Sequence, residues 1–171
     1  PGVELIMPNP DFLEEEGDNV LALVVTHSHE DHYGAVLDLW ADFELPVYCT
    51  AFTEAMIRAK RAANEITSDV EIRLMKQGEP FEVGPFHIEP IRMSHAIPDS
   101  TSLLIETKAG RALHTGDWRL DEKPVLGLGT DIERLKRIGA DGDKLALVCD
   151  STNSMKDGES ISESVIEANL K

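Results

Sequence analysis

Residues 26–35 read T-H-S-H-E-D-H-Y-G-A, directly after the apolar run Leu21 to Val25. The chain has six histidines, and three of them stand here with two acids. In an extended segment, residues two apart point to the same side. His27 and His29 can therefore face one metal ion, at about 2.0–2.1 Å per Zn–N bond. Asp31 and His32 follow at once. The backbone must turn to bring both inward, where a second ion could take them.

Such a centre needs further ligands, and two other segments offer the same pattern of strand end followed by polar loop. Met93-Ser94-His95-Ala96 is one, and Thr115-Gly116-Asp117 is the other. A carboxylate such as Asp117 can bridge two cations with its two oxygens. Three strand ends thus present His27, His29, Asp31, His32, His95 and Asp117. As a solvated polar loop this arrangement makes little sense, because burying such groups unpaired costs several kcal/mol. The remaining histidines read as structural: His87 lies inside a strand pattern, and His114 is placed to orient its neighbours. Ser28, Glu30 and Tyr33 read as loop scaffold, and Trp118 as a packed aromatic rather than a base-stacking one. Ser100 and Thr101 read as closing a loop by hydrogen bonding, and Glu14-Glu15-Glu16 as a solvated turn.

The elements that must position these groups are strands and helices in alternation. Strands are expected over Val3–Met7, Val20–Thr26 (buried on both faces), Pro46–Thr50 and Val70–Met75. A hairpin pattern covers Phe81–Val83 and Phe86–Met93, with Pro90 marking an edge or bulge. A second hairpin covers Thr101–Thr107 and Arg111–Thr115, turning at Lys108-Ala109-Gly110. A buried strand is expected over Lys144–Asp150. Helices are expected over Gly34–Ala41, Ala51–Glu65 with Thr50 as N-cap, Asp131–Ile138 ended by Gly139, and Ser160–Leu170. Ser160-Ile161-Ser162-Glu163 resembles a capping box. The pattern predicts an α/β (α+β) domain with sheets covered by helices on their outer faces.

Composition bounds the function. The 171 residues suffice for one domain with a real core, and 42% apolar content argues against disorder. No apolar run approaches the roughly 20 residues of a membrane span, so no membrane partner is expected. Cys49 and Cys149 are far apart and read as buried free thiols in a reducing cytosol. The net charge of −16 repels phosphate backbones, which argues against a freestanding nucleic-acid binder but not against binding at a metal centre. The chain opens on Pro1 and closes inside a helical pattern at Lys171, so both ends read as cuts in a longer protein.

H-S-H-E-D-H matches the H-x-H-x-D-H signature of the metallo-β-lactamase superfamily. M-S-H-A-I-P-D-S (93–100), H-T-G-D-W-R-L-D-E-K-P (114–124) and C-D-S-T-N (149–153) resemble the β-CASP nucleases, specifically the ribonuclease J family. The resemblance covers nearly the whole chain. It implies a partial metallo-β-lactamase αββα sandwich over residues 1–154, lacking strands before Pro1. Residues 155–171 would begin the connection into an absent β-CASP domain. It implies that His27, His29 and His95 hold one metal and Asp31 and His32 another, with Asp117 shared. Asp150 matches the acid of the first β-CASP motif, and Asp31, Asp117 and Asp150 are the candidate catalytic acids. The cofactors would be two divalent ions, zinc by the histidine-rich ligation and manganese admitted by the carboxylates.

Two cations about 3.5–4 Å apart suit phosphodiester hydrolysis by an activated water. The resemblance implies an RNA substrate, cut internally or trimmed from the 5′ end, and a cytoplasmic homo-oligomer in full-length form. The segment alone is expected to bind RNA weakly and to be impaired. Two other readings stay open: a hydrolase of thioesters, lactones or β-lactams, and a non-catalytic metal-bearing subunit. C-D-S-T-N after a strand discriminates against the first, and the intact ligand set argues against the second.

Overall fold

Apolar alternation in the middle of the chain builds one sheet, and shorter β-branched runs build another. A computed structural model describes residues 6–7, 9–65, 69–121, 123–158 and 160–171. Strands β1 (Leu23–Val24), β2 (Val47–Cys49) and β3 (Ile72–Leu74) pair in parallel, in the order β1-β2-β3. Strands β4 (Phe81–Val83), β5 (Phe86–Arg92), β6 (Thr101–Thr107), β7 (Gly110–His114) and β8 (Leu145–Val148) form a five-stranded sheet in chain order. Its pairs are antiparallel except β7 with β8. The helices are α1 (Asp11–Glu16), α2 (Glu30–Tyr33), α3 (Val36–Phe43), α4 (Ala51–Ala63), α5 (Ile132–Ala140) and α6 (Glu163–Leu170).

Period-two alternation sorts each strand's side chains between two faces. Ile88 and Leu103 turn inward with Met75, and Val24, Phe81, Val83 and Ile105 pack around them. This is the layer between the sheets, and the Tyr48 and Phe81 rings stack in it at 4.6 Å. On the outer face of the parallel sheet, Val47 and Cys49 pack against Val36, Leu37 and Ile57 of α3 and α4. On the outer face of the larger sheet, Ile91, Leu104 and Leu113 pack against Ile138 of α5. The layers therefore run helix, sheet, sheet, helix: the expected α/β sandwich.

Several expectations need correction. Of the strand expected over Val3–Met7, residues 3–5 lie outside the described residues, and Ile6 and Met7 are exposed without strand pairing. Val20–Thr26 yields only the two-residue β1, which among the described residues pairs on one side, although Val25 N still donates to Tyr48 O at 2.9 Å. Among the described residues, strand β8 pairs on one side only, and Leu147 and Val148 are exposed rather than buried. Gly139 does not end α5, which runs on to Ala140. Cys149 is exposed, while Cys49 is buried. Thr50 stands at the N-cap of α4, but its hydroxyl turns to Thr53 Oγ1 at 3.3 Å. The capping box at 160–163 does not form. Instead Asp121, 42 positions before Glu163, accepts from Glu163 N at 2.9 Å and from Ser162 Oγ at 2.8 Å. Glu14–Glu16 close the exposed helix α1 rather than a turn.

Pro90 follows its sequence reading for a clear reason. Its carbonyl accepts from Gly78 N at 2.7 Å, so its missing N–H faces the side of β5 that β4 no longer covers. Proline is tolerated where no ladder bond is lost.

One ion pair ties α5 to the sheet. Arg134 donates through Nε and Nη2 to both carboxylate oxygens of Glu89, at 2.8 and 2.6 Å. The guanidinium's hydrogen bonds hold the Glu89 carboxyl below its usual range. A depressed folded pKa stabilises above the unfolded value of about 4.3, and that stability is lost as pH falls through the folded value. Arg134→Met therefore costs about 1–2 kcal/mol near neutral pH, and less near pH 3. Urea midpoints of both proteins at the two pH values check this.

Candidate metal centre

The strands of both sheets deliver the chemically active residues at their C-terminal ends. After β1, Val25 to Ser28 run buried, with His27 at 0% exposure. His29 is still extended (φ −72°, ψ 149°), and its carbonyl accepts from His32 N and Tyr33 N to start the single turn of α2. That turn swings His32 round to face Asp117, while Asp31 stays exposed beside His32. Lys60 of α4 secures it, donating to Gly34 O at 2.7 Å and pairing with Glu30. A Cβ at Gly34 would lie 2.1 Å from Glu30 O, so glycine is needed there. Tyr33 is not loop scaffold but core, packed with Val36 and Leu37.

Strand β5 leads into Met93-Ser94-His95, and β7 leads into Thr115-Gly116-Asp117. Gly116 has φ +57°, and a Cβ there would meet Thr101 O at 3.0 Å and the Thr26 side chain at 3.1 Å. Glycine alone lets the Asp117 loop lie this close to the residue before His27. His114 orients the same turn, its Nδ1 accepting from Gly116 N at 2.9 Å.

Ligand-type atoms of His27, His29, His95 and Asp117 all lie within 4.8 Å of one another. His29 Nδ1 is 3.2 Å from His27 Nε2 and 2.9 Å from His95 Nε2. Asp117 Oδ2 is 3.8 Å from His27 Nε2 and 3.5 Å from His95 Nε2. Four ligands placed tetrahedrally at 2.0–2.1 Å from zinc stand about 3.3 Å apart. The observed spread brackets that value, so the donor set fits a metal ion. The other carboxylate oxygen, Oδ1, faces His32 Nε2 at 3.2 Å, and Asp31 Oδ2 is 3.7 Å from the same nitrogen.

The electrostatics suit ligation. Burial, then the neighbouring imidazoles of His32, His95 and His29, push His27 down to about 3. Burial and then His29 lower His95 as well. Both rings are neutral at pH 7, the form that offers a lone pair. His27 Nδ1 lies 3.1 Å from Thr26 Oγ1. With Nδ1 donating there, Nε2 carries the lone pair toward the centre.

Asp150 is not among these atoms. Its Oδ1 accepts from Thr152 N at 2.9 Å and Thr152 Oγ1 at 2.7 Å, which keeps its carboxyl below the usual range. Its N–H donates to Thr115 Oγ1 at 3.0 Å, so its loop is tied to the Asp117 loop. Trp118 is not packed in a core: it is 38% exposed and donates Nε1–H to Asp150 O at 3.2 Å. His87 pairs with Glu82 across the β4–β5 hairpin at 2.5 Å, away from the centre. Thr101 closes its loop through Asp99 O at 2.9 Å. The Ser100 hydroxyl is buried without a partner, and its carbonyl closes the loop instead, accepting from Met93 N and Gln77 Nε2. Sequence reasoning did not find Thr26 or Lys60. Lys60 carries no local signal, since it acts across a tertiary contact, whereas Thr26 touches the ring of the adjacent His27.

The chain belongs to the beta-lactamase superfamily: residues 1–133 match the family's domain, described as a beta-lactamase superfamily domain. Two curated relatives carry the family name that the motifs resemble. It is 46% identical over 170 residues to Ribonuclease J of Sinorhizobium meliloti, covering 99% of this chain and 30% of that one. It is 38% identical over 166 residues to Ribonuclease J of Helicobacter pylori, covering 96% of this chain and 24% of that one. The chain thus spans less than a third of the length of these curated relatives. The Zn(2+)-bound PqqB structure from Methylobacterium extorquens shares the fold, with TM-score 0.52 and 19% identity over 74% of this chain and 41% of that one.

Proposed function

We propose that this chain supplies the metal-binding part of a hydrolase that cleaves RNA phosphodiesters, internally or from the 5′ end. The observation that carries this reading is the orientation of Asp117. One of its oxygens faces His27 and His95, and the other faces His32. His27, His29 and His95 would hold one divalent ion and Asp31 and His32 a second, with Asp117 shared. Imidazole ligation favours zinc, and the carboxylates admit manganese. When bound, such ions supply Lewis-acid charge and make water acidic near neutral pH.

The chain's own residues do the rest. The neutral His27 and His95 offer lone pairs without first losing a proton. Asp117 fixes the separation of the two subsites. The Asp31 carboxylate is exposed beside His32, where its Oδ2 can take up a proton. Asp150 stands at the rim near His95, its carboxylate held ionised by Thr152. Asp31, Asp117 and Asp150 are the acids we assign to catalysis. Residues 1–154 would form the catalytic domain, and 155–171 the start of a connection to a second one.

The charge of −16 does not attract RNA. RNA contact would therefore come mainly from other parts of a longer, cytoplasmic, homo-oligomeric protein. The relatives named Ribonuclease J support an RNA substrate. The test offers the full-length protein a 5′-monophosphorylated RNA, a thioester and a lactone side by side. RNA cleavage is expected, falling about 100-fold or more in His29→Ala. Thioester or lactone turnover without RNA cleavage would overturn the reading.

A further inference from the structure

We infer that Thr130 is a positioning residue for the metal centre, its hydroxyl fixing the loops of His95 and Asp117 against each other. The inference rests on reading His27, His29, His95 and Asp117 as a metal site.

The two loops approach at a single antiparallel bridge, Ser94 with Arg119, where Arg119 N donates to Ser94 O at 2.9 Å. Ser94 immediately precedes His95, and Arg119 stands two residues after Asp117. Ser94 is 5% exposed, so its polar atoms must find partners inside the protein. Its backbone N–H donates to Thr130 Oγ1 at 2.9 Å. Its hydroxyl lies 2.7 Å from Thr130 Oγ1 and donates to Arg119 O at 2.7 Å. Asp121 N also reaches Ser94 Oγ, at 3.3 Å. Thr130 Oγ1 lies 3.0 Å from Arg119 O. A single hydroxyl therefore touches the backbone on both ligand loops.

That hydroxyl stands on a firm base. Asp131, the next residue, donates its N–H to Arg92 O at 3.1 Å and caps α5 by accepting from Arg134 N at 3.0 Å. Helix α5 is anchored through Ile138, 2% exposed in the core. Loop residues 125–128, just before, are exposed and offer no such support. The chain thus carries stiffness from α5 to the ligands through Thr130. Partners outside the ligand set typically change metal affinity by about 10–100-fold.

The test measures Zn²⁺ affinity of the chain by chelator competition, together with melting of the metal-free chain. Thr130→Val keeps the shape and removes the hydroxyl, and Thr130→Ser keeps the hydroxyl. Zn²⁺ affinity is expected to fall about tenfold or more in Thr130→Val and to recover in Thr130→Ser. Thr130→Ala repeats the measurement should the valine variant fail to fold. Unchanged affinity in the hydroxyl-free variants, with or without a lower melting temperature, overturns the inference and leaves a structural role alone. So does a serine variant as weak as valine. A wild-type chain that binds no Zn²⁺ removes the metal-site reading itself, and this inference with it.

Discussion

Asp117→Asn is expected to weaken divalent-ion binding by about 100-fold or more, exceeding the range found for partners outside the ligand set. The substitution keeps the side chain's size and removes its charge. Asp117 Oδ2 stands among the ligand atoms of three histidines, and Oδ1 stands 3.2 Å from His32 Nε2. No other carboxylate of the four-residue group can replace it, because the other three members are imidazoles. Neutral imidazoles alone leave the charge of a divalent ion uncompensated. Titration with Zn²⁺ against a competing chelator reads the effect. The metal-free protein should keep its fold, since Asp117 lies in a loop and packs in none of the three apolar clusters. Binding retained within about threefold of wild type would show that the carboxylate is no ligand.

Leu104→Ala is expected to destabilise the protein by about 3 kcal/mol, in the usual range for a fully buried leucine. Leu104 is 0% exposed on β6, between Ile91 and Leu113 on the neighbouring strands and beneath Ile138 of α5. Its removal leaves a cavity where the sheet and its covering helix meet. Strand β6 contributes no residue to the candidate centre. It holds apart β5 and β7, whose ends carry His95 and Asp117. Urea or thermal unfolding measures the cost. A loss under about 1 kcal/mol would show that the site collapses freely, contrary to a packed core.

The ligands were legible in the sequence because their chemistry is local. H-S-H-E-D-H compresses four candidate ligands into six positions, and each further candidate follows a recognisable strand. The larger sheet was legible for a similar reason: β4 with β5 and β6 with β7 are joined by short turns at Gly84-Pro85 and Lys108-Ala109. The misreadings have a common physical cause, which is tertiary context. Leu145 to Val148 are as apolar as a buried strand, yet among the described residues the sheet ends there, and Leu147 and Val148 are exposed. Ser160 and Glu163 have capping-box spacing, but a carboxylate from a distant loop reached the helix end first. Gly139 resembled a helix stop, yet α5 needed its last turn to keep Ile138 in the core. The supporting partners Lys60 and Thr130 stand 26 and 36 positions from Gly34 and Ser94, the residues they hydrogen-bond, and no local pattern marks them.

Crystals grown with Zn²⁺ and measured at the zinc absorption edge test the central claim most directly. Anomalous density is expected about 2.0–2.1 Å from His27 Nε2, His29 Nδ1, His95 Nε2 and Asp117 Oδ2. Zinc found elsewhere on the molecule, with these four side chains free of it, would contradict the account.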